Sequence, residues 1–128
     1  MSDTLHVVEQ YNYEIWNRQR YELAPEIIGA EVIRNGAGTR DVLTHEMAVE
    51  RIKQAWSSVQ HVTFELIHTV VEGELCTIVY QADLRKLDGT PDSIASIEVF
   101  RVVDGRIVEV WNNAHEHGRW PEAKELPA

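Results

Sequence analysis

Two side chains near the end of the chain are of types that cooperate in acid/base chemistry. Glu98 lies in Ile97-Glu98-Val99-Phe100-Arg101 and Asn112 closes Val108-Glu109-Val110-Trp111-Asn112. A carboxylate set among Phe100, Val108 and Val110 loses hydration, so its pKa rises toward the value a neutral-pH base needs. Such a base removes a proton next to a carbonyl, and an amide donates a hydrogen bond to the enolate oxygen that results. The expected catalytic pair is Glu98 as base and Asn112 as donor, with Phe100 and Val110 as apolar substrate-binding wall. The plainer reading of Glu98 is a carboxylate at a wet cavity mouth or one paired with a cation.

Whether the two groups share a face depends on the turn at Asp104-Gly105. A type I turn with a bulged glycine sets Glu98 opposite Val110 and diagonal to Asn112, whereas a two-residue turn sets Glu98 against Trp111 and sends Asn112 to the other face. The charge pattern favours the bulged register, because it also places Arg101 beside Glu109. Further substrate-binding candidates are Tyr13 and Trp16 from the first helix, Asn35 after the first strand, and His68 and Tyr80 within the later strands. For the aromatics the alternative is core packing with a polar tip at the rim, and for His68 a hydrogen-bonded structural role.

Metal chemistry is not expected. His115-Glu116-His117 offers two ligands on one side of a strand, but spacing supplies no third. Cys76, the single cysteine, sits in the apolar run Leu75-Cys76-Thr77-Ile78, where it reads as a small core residue.

The elements that must position these groups change character along the chain. Thr4 is placed to cap a helix whose Leu5, Val8, Tyr11 or Asn12, Ile15 and Trp16 form one buried stripe. A short second helix is expected over 22–28, ended by Gly29, followed by an extended piece over 31–35 and a flexible loop at Gly36-Ala37-Gly38-Thr39. Thr44-His45-Glu46-Met47 reads as the start of a third helix, with Met47, Ala48, Ile52, Ala55 and Trp56 at helical spacing. From residue 62 four strand-like runs follow, 62–72, 75–87, 93–103 and 106–114, separated by turn residues that make them consecutive antiparallel hairpins. Helices followed by a meander imply α+β, with the helices packed on one face of a curved sheet and a tapered hollow between.

With 128 residues the chain suits one domain, expected over 1–120 with a loose tail over 121–128. Its formal charge of -9 repels phosphate backbones and anionic lipid, so neither nucleic acid nor membrane is an expected partner. Neither a leader-like start nor an apolar membrane-length window appears, and the expected location is cytoplasmic.

The run Tyr11-Asn12-Tyr13-Glu14-Ile15-Trp16-Asn17-Arg18 resembles the helical opening of SnoaL-like proteins. The run Ile97-Glu98-Val99-Phe100-Arg101-Val102-Val103-Asp104-Gly105-Arg106-Ile107-Val108-Glu109-Val110-Trp111-Asn112 is similar to that family's closing hairpin. The chain is therefore similar to the SnoaL-like polyketide cyclases of the NTF2-like superfamily over residues 5–114. That resemblance implies an NTF2-like (cystatin-like) cone, N-terminal helices on a curved, mainly antiparallel sheet, no cofactor, and a pocket under the helices. It also implies frequent homodimers through the outer sheet face. Members include polyketide cyclases, isomerases of steroid ketones, epoxide hydrolases and proteins without catalysis, so it does not fix an activity. The residue matching the family's acid/base aspartate is Asn112, which leaves Glu98 as the nearest carboxylate to replace it.

Three readings follow. The first is a cofactor-independent cyclase or isomerase acting on a hydrophobic carbonyl compound. The second is a non-catalytic ligand-binding or dimerisation module whose site has decayed, supported by the amide at 112. The third is hydrolysis, for example of an epoxide. A homodimer is expected through an outer face carrying Val99, Ile107 and Trp111.

Overall fold

The computed structural model describes residues 3–122, so most of the expected 121–128 tail lies outside the described residues. The chain opens with α1 (Asp3–Glu9), which runs on as a π-helical stretch, Gln10–Trp16. Its wider winding shows in the Asn17 N–H, which donates to the Asn12 carbonyl five residues back at 3.1 Å. The Asn12 side chain donates to the Val8 carbonyl at 2.9 Å, supplying that acceptor from within the buried face. Thr4 does not cap this helix. It lies inside α1, where its hydroxyl donates to the Gly73 carbonyl at 2.8 Å and pins the helix to a distant turn.

A 3₁₀ turn (Tyr21–Leu23) and α2 (Ala24–Ile27) stand where one short helix was expected. Ile28 is already extended, so β1 (Ile28–Gly36) starts before the glycine thought to close the helix. Gly29 serves a close approach instead: a Cβ there would meet the Ile107 carbonyl at 3.1 Å and Val108 Cγ1 at 3.3 Å. The stretch expected as a flexible loop turns tightly through Ala37-Gly38, with Gly38 at φ 81°, into β2 (Thr39–Thr44). Then α3 (His45–Ser57) begins as its sequence implies, the Thr44 hydroxyl accepting from Met47 N at 3.2 Å.

Four long strands complete the sheet: β3 (Val59–Glu72), β4 (Leu75–Lys86), β5 (Pro91–Val103) and β6 (Arg106–Asn112). A two-residue β7 (Glu116–His117) lies against the early part of β5. The spatial order is β2-β1-β6-β5-β4-β3, antiparallel throughout except for the parallel pairing of β1 with β6. Helices cover one face, and Val8, Ile15, Ile52, Cys76, Ile78 and Phe100 fill the space between the layers with no exposed surface to speak of. Each such aliphatic or aromatic side chain stabilises by roughly 1.5–3 kcal/mol. Burial also pushes the Cys76 thiol up to about 11, so it stays an unreactive core group.

The β5–β6 hairpin departs from the favoured register in an instructive way. Asp104 (φ 52°) and Gly105 (φ 78°) close it as a two-residue turn, with Val103 opposite Arg106. The extra residue sits further along, at Val108, where pairing slips between Arg101 and Val102. Beyond that bulge Arg101 faces Glu109 and Glu98 stands directly opposite Asn112. A side effect is that Ile107, expected on the outer face, is buried beside Val102 in the core.

Candidate functional site

A cavity of about 350 Å³ opens between the helices and the inner face of the sheet, with Glu98 and Asn112 in its wall. This lies at the lower end of the roughly 300–1,000 Å³ of small-molecule sites. Its floor runs along β5 from Ile94 to Glu98, about 13 Å at the usual strand rise. Pairing of β6 with β5 ends at Glu98–Asn112, and β7 resumes it only at Ala95–Glu116. The interruption leaves the two polar side chains at a break in the sheet, facing inward.

Trp16, Phe64 and Tyr80 make an aromatic wall, Trp16 to Phe64 at 4.8 Å between centroids and Phe64 to Tyr80 at 5.5 Å. Trp16 is held by its own carbonyl, which accepts from Trp56 Nε1 at 2.8 Å. Nearby, the Asn17 amide grips the β3 backbone at Phe64, donating to its carbonyl at 2.9 Å and accepting from its N–H at 2.7 Å. The Trp16–Phe64 side of the wall is therefore fixed by hydrogen bonds. Such a surface suits a flat, apolar guest.

Burial raises the Glu98 carboxyl to about 7, and the guanidinium groups of Arg34 and then Arg51 oppose that rise only in part. Tyr80 is pushed up to about 12, chiefly by burial and then by Glu98, so its hydroxyl keeps its proton. Tyr11 is raised for the same two reasons in the same order. At neutral pH the cavity thus holds one carboxyl near its midpoint between two neutral phenols. The Asn112 amide is oriented by its neighbours: Arg34 Nη2 donates to its Oδ1 at 3.4 Å and its Nδ2 donates to the Asn113 carbonyl at 3.2 Å. One amide N–H is left over, since the group carries two.

Of the residues singled out from sequence, Glu98, Asn112, Trp16 and Tyr80 line this cavity. Phe100 and Val110 point to the same side but belong to the packed core, Phe100 against Tyr11 at 5.7 Å. Three candidates lie elsewhere. Tyr13 is a pin between helix and sheet, its hydroxyl accepting from Leu66 N at 3.1 Å. Asn35 points outward by strand alternation and donates to Glu109 Oε2 at 2.9 Å and to the Val110 carbonyl at 3.3 Å. His68 is exposed because a bulge between Leu66 and His68 reverses the phase of β3, so that it no longer shares a side with Phe64.

Sequence reasoning missed Tyr11, Asn12, Arg34 and Arg51, all in the cavity wall. For Arg34 a signal existed: it lies two residues from the buried Val32, hence on the inner side. His115 and His117 also reach this wall, but the His117 ring nitrogen Nδ1 is engaged by Asp92 Oδ2 at 2.9 Å. Among the described residues no group of three His, Cys, Asp or Glu side chains is placed to hold a metal ion, and no helix is long and apolar enough to cross a membrane. A larger hollow of about 770 Å³ lies on the opposite face, between Ile97, Trp111 and the segment carrying Trp120. It is the more open of the two, and Glu98 is not part of it.

Helices on a curved sheet with a polar pair inside an aromatic-walled hollow define the α+β cone of the NTF2-like class. The chain belongs to the SnoaL-like family, whose domain model matches residues 8–110. No curated protein matches it significantly by sequence. Among solved structures it is similar to IdmH from Streptomyces antibioticus, a proposed polyketide cyclase, at 18% identity over 90% of this chain and 93% of that one, TM-score 0.76. It is also similar to an LEH-like epoxide hydrolase of M. tuberculosis, at 13% identity over 87% of this chain and 77% of that one, TM-score 0.72. A proposed polyketide cyclase from Acidithiobacillus ferrooxidans superposes at TM-score 0.76 with 14% identity over 87% of each chain. Likeness at these identities concerns the fold.

Proposed function

We propose that this protein is a cofactor-independent acid/base enzyme, of cyclase or isomerase type, acting on a hydrophobic carbonyl compound. The observation that carries this reading is the Glu98 carboxyl inside the cavity, raised to about 7 and directly across from Asn112. Cβ atoms of facing residues stand about 5 Å apart, close enough for both side chains to reach one substrate carbon–carbonyl unit. Glu98 takes the α-proton, the C–H electron pair becomes the carbon–carbon double bond as the carbonyl π pair moves onto oxygen, and the free N–H of Asn112 holds the resulting enolate. The enolate carbon then attacks a second carbonyl to form a ring, the new alkoxide taking the proton from Glu98, or the enolate receives that proton back at another carbon.

The test is exchange of α-protons of 2-tetralone in deuterated buffer, followed by NMR. Exchange faster than in buffer alone is expected with the protein present. Exchange at the buffer rate across a panel of cyclic ketones, with and without a ring carboxylate, would overturn the catalytic reading. It would favour the second one, a pocket that returns its guest unchanged, for which the amide at 112 in place of a carboxyl speaks.

The dimer reading rests on the strip of Ile97, Val99 and Trp111 on the outer face, now without Ile107. Ile97 is 49% exposed, a large apolar side chain to leave in water. Sedimentation at micromolar concentration is expected to give twice the 14.7 kDa of one chain, and a single-chain mass would remove this reading.

A further inference from the structure

From the two arginines in the cavity wall we infer that the natural substrate carries a carboxylate next to its reacting carbonyl. This rests on the proposed function above and narrows its substrate class. Arg34 reaches the wall from β1 and Arg51 from α3, and both guanidinium groups act on Glu98. Among the described residues neither forms an ion pair, and the only side-chain hydrogen bond of Arg34 is the long one to Asn112. Arg51 is held below the usual guanidinium range by burial first and by Arg34 second, so the two cations also crowd each other.

The carboxylates nearby do not answer this charge. Asp41 is paired in register with Arg34 across the hairpin, yet it is exposed and makes no ion pair with it. Asp92, in the same cavity wall, is engaged by His117 and by the Ser93 N–H at 2.8 Å. Glu98 is close to half-protonated at neutral pH. The Arg34–Arg51 end of the cavity is therefore short of negative charge.

Position gives the arginines their use. Both line the inner cavity and also an outer hollow of about 320 Å³ beside Gly36, Thr39 and Asp41. They stand at the partition between the two, with Asn112 in the wall of each. A planar carboxylate suits forked guanidinium donors, and an anion bound here would put its neighbouring carbonyl within reach of Asn112 and Glu98. The aromatic wall receives the rest of the molecule. The substrate class is thus an aromatic or alicyclic oxo-carboxylate.

Three ligands with one ring system test this by calorimetry on the intact chain: 2-naphthoate, its neutral counterpart 2-naphthamide, and 2-naphthyl phosphate. Naphthoate is expected to bind at least about tenfold more tightly than the amide, a difference of about 1.4 kcal/mol. Arg34→Gln and, separately, the more exposed Arg51→Gln are each expected to lose most of that preference, and an unchanged urea unfolding midpoint in each variant reports an intact fold. Equal affinity for naphthoate and naphthamide overturns the carboxylate inference and leaves the pocket standing. Full preference retained in both variants overturns the role of the arginines. A preference for the phosphate assigns the cations to a different anion and overturns the inference as well. Binding of none of the three overturns the pocket reading itself, and this inference with it.

Discussion

Replacing Glu98 by glutamine is expected to lower the rate of α-proton exchange by about 10²–10⁴-fold, the usual contribution of a positioned base. The amide has nearly the shape of the carboxylate and fits the same space opposite Asn112. What it loses is the ability to accept a proton. The wild-type rate should climb with pH through about 7, as Glu98 ionises, and level off above it. Only the carboxylate form is a base, so the rising limb must vanish in Glu98→Gln. A variant with full rate, or with the same pH profile, would remove Glu98 from the reaction.

The same substitution should make the protein more stable at alkaline pH. In the unfolded chain this carboxyl ionises near its ordinary value of 4.5, whereas in the folded protein it keeps its proton to about 7. Between those values the folded state holds more protons than the unfolded one, so unfolding free energy falls as pH rises. At 1.36 kcal/mol per unit, the window from 4.5 to about 7 corresponds to a loss of about 3 kcal/mol, complete above it. Glu14, Asp83, Asp88 and Asp92 are shifted the other way by hydrogen bonds, and their stabilisation is lost only on acidification below their ordinary carboxylate range. They cancel when the variant is compared with wild type. Urea unfolding of both proteins at about pH 5 and about pH 8 should show Glu98→Gln gaining about 2.5 kcal/mol between the two, since part of the loss is already present at pH 5. A constant difference would mean a well-solvated carboxyl, and would weaken the catalytic assignment with it. The two expectations belong together: a carboxylate partly stripped of water in the pocket lowers stability and raises basicity through one desolvation cost.

Much of the scaffold was legible because its signals are local. Thr44 caps α3 through a contact three residues away, and the four long strands begin and end within a few residues of their turn chemistry. β2 was missed because Thr39-Arg40-Asp41-Val42-Leu43-Thr44 shows only one buried position and is held as an edge by β1. The π winding of Gln10–Trp16 was not visible either, since its apolar positions also fit an α-helix. The likeness to SnoaL-like proteins was carried by the helical opening and the closing hairpin; the family match covers the first and all of the second except Trp111 and Asn112.

The juxtaposition of Glu98 and Asn112 is a more delicate case. Matching Arg101 with Glu109 gave the right neighbours, because opposite charges on an outer face do prefer to meet; the structure pairs them at 3.5 Å. The turn behind that reasoning was the wrong one, and a bulge at Val108 restored the phase that the two-residue turn had shifted. Arg34 and Asn35 show the same sensitivity. They are adjacent in β1, so one enters the cavity and the other braces the outer face.

By itself the sequence determined the order of helices and strands, the positions of the main turns, the family, and the few polar residues worth following, since each is written in periodicity or in motifs of a few residues. The tertiary structure alone decided which of those residues face the hollow, where the arginines stand, and how far the Glu98 carboxyl is lifted. The reason is geometric. One bulge reverses every side chain beyond it, and the environment of a carboxyl is built from Tyr11, Arg34, Arg51 and Tyr80, groups distant in the chain and brought together only by the closing of the sheet under its helices.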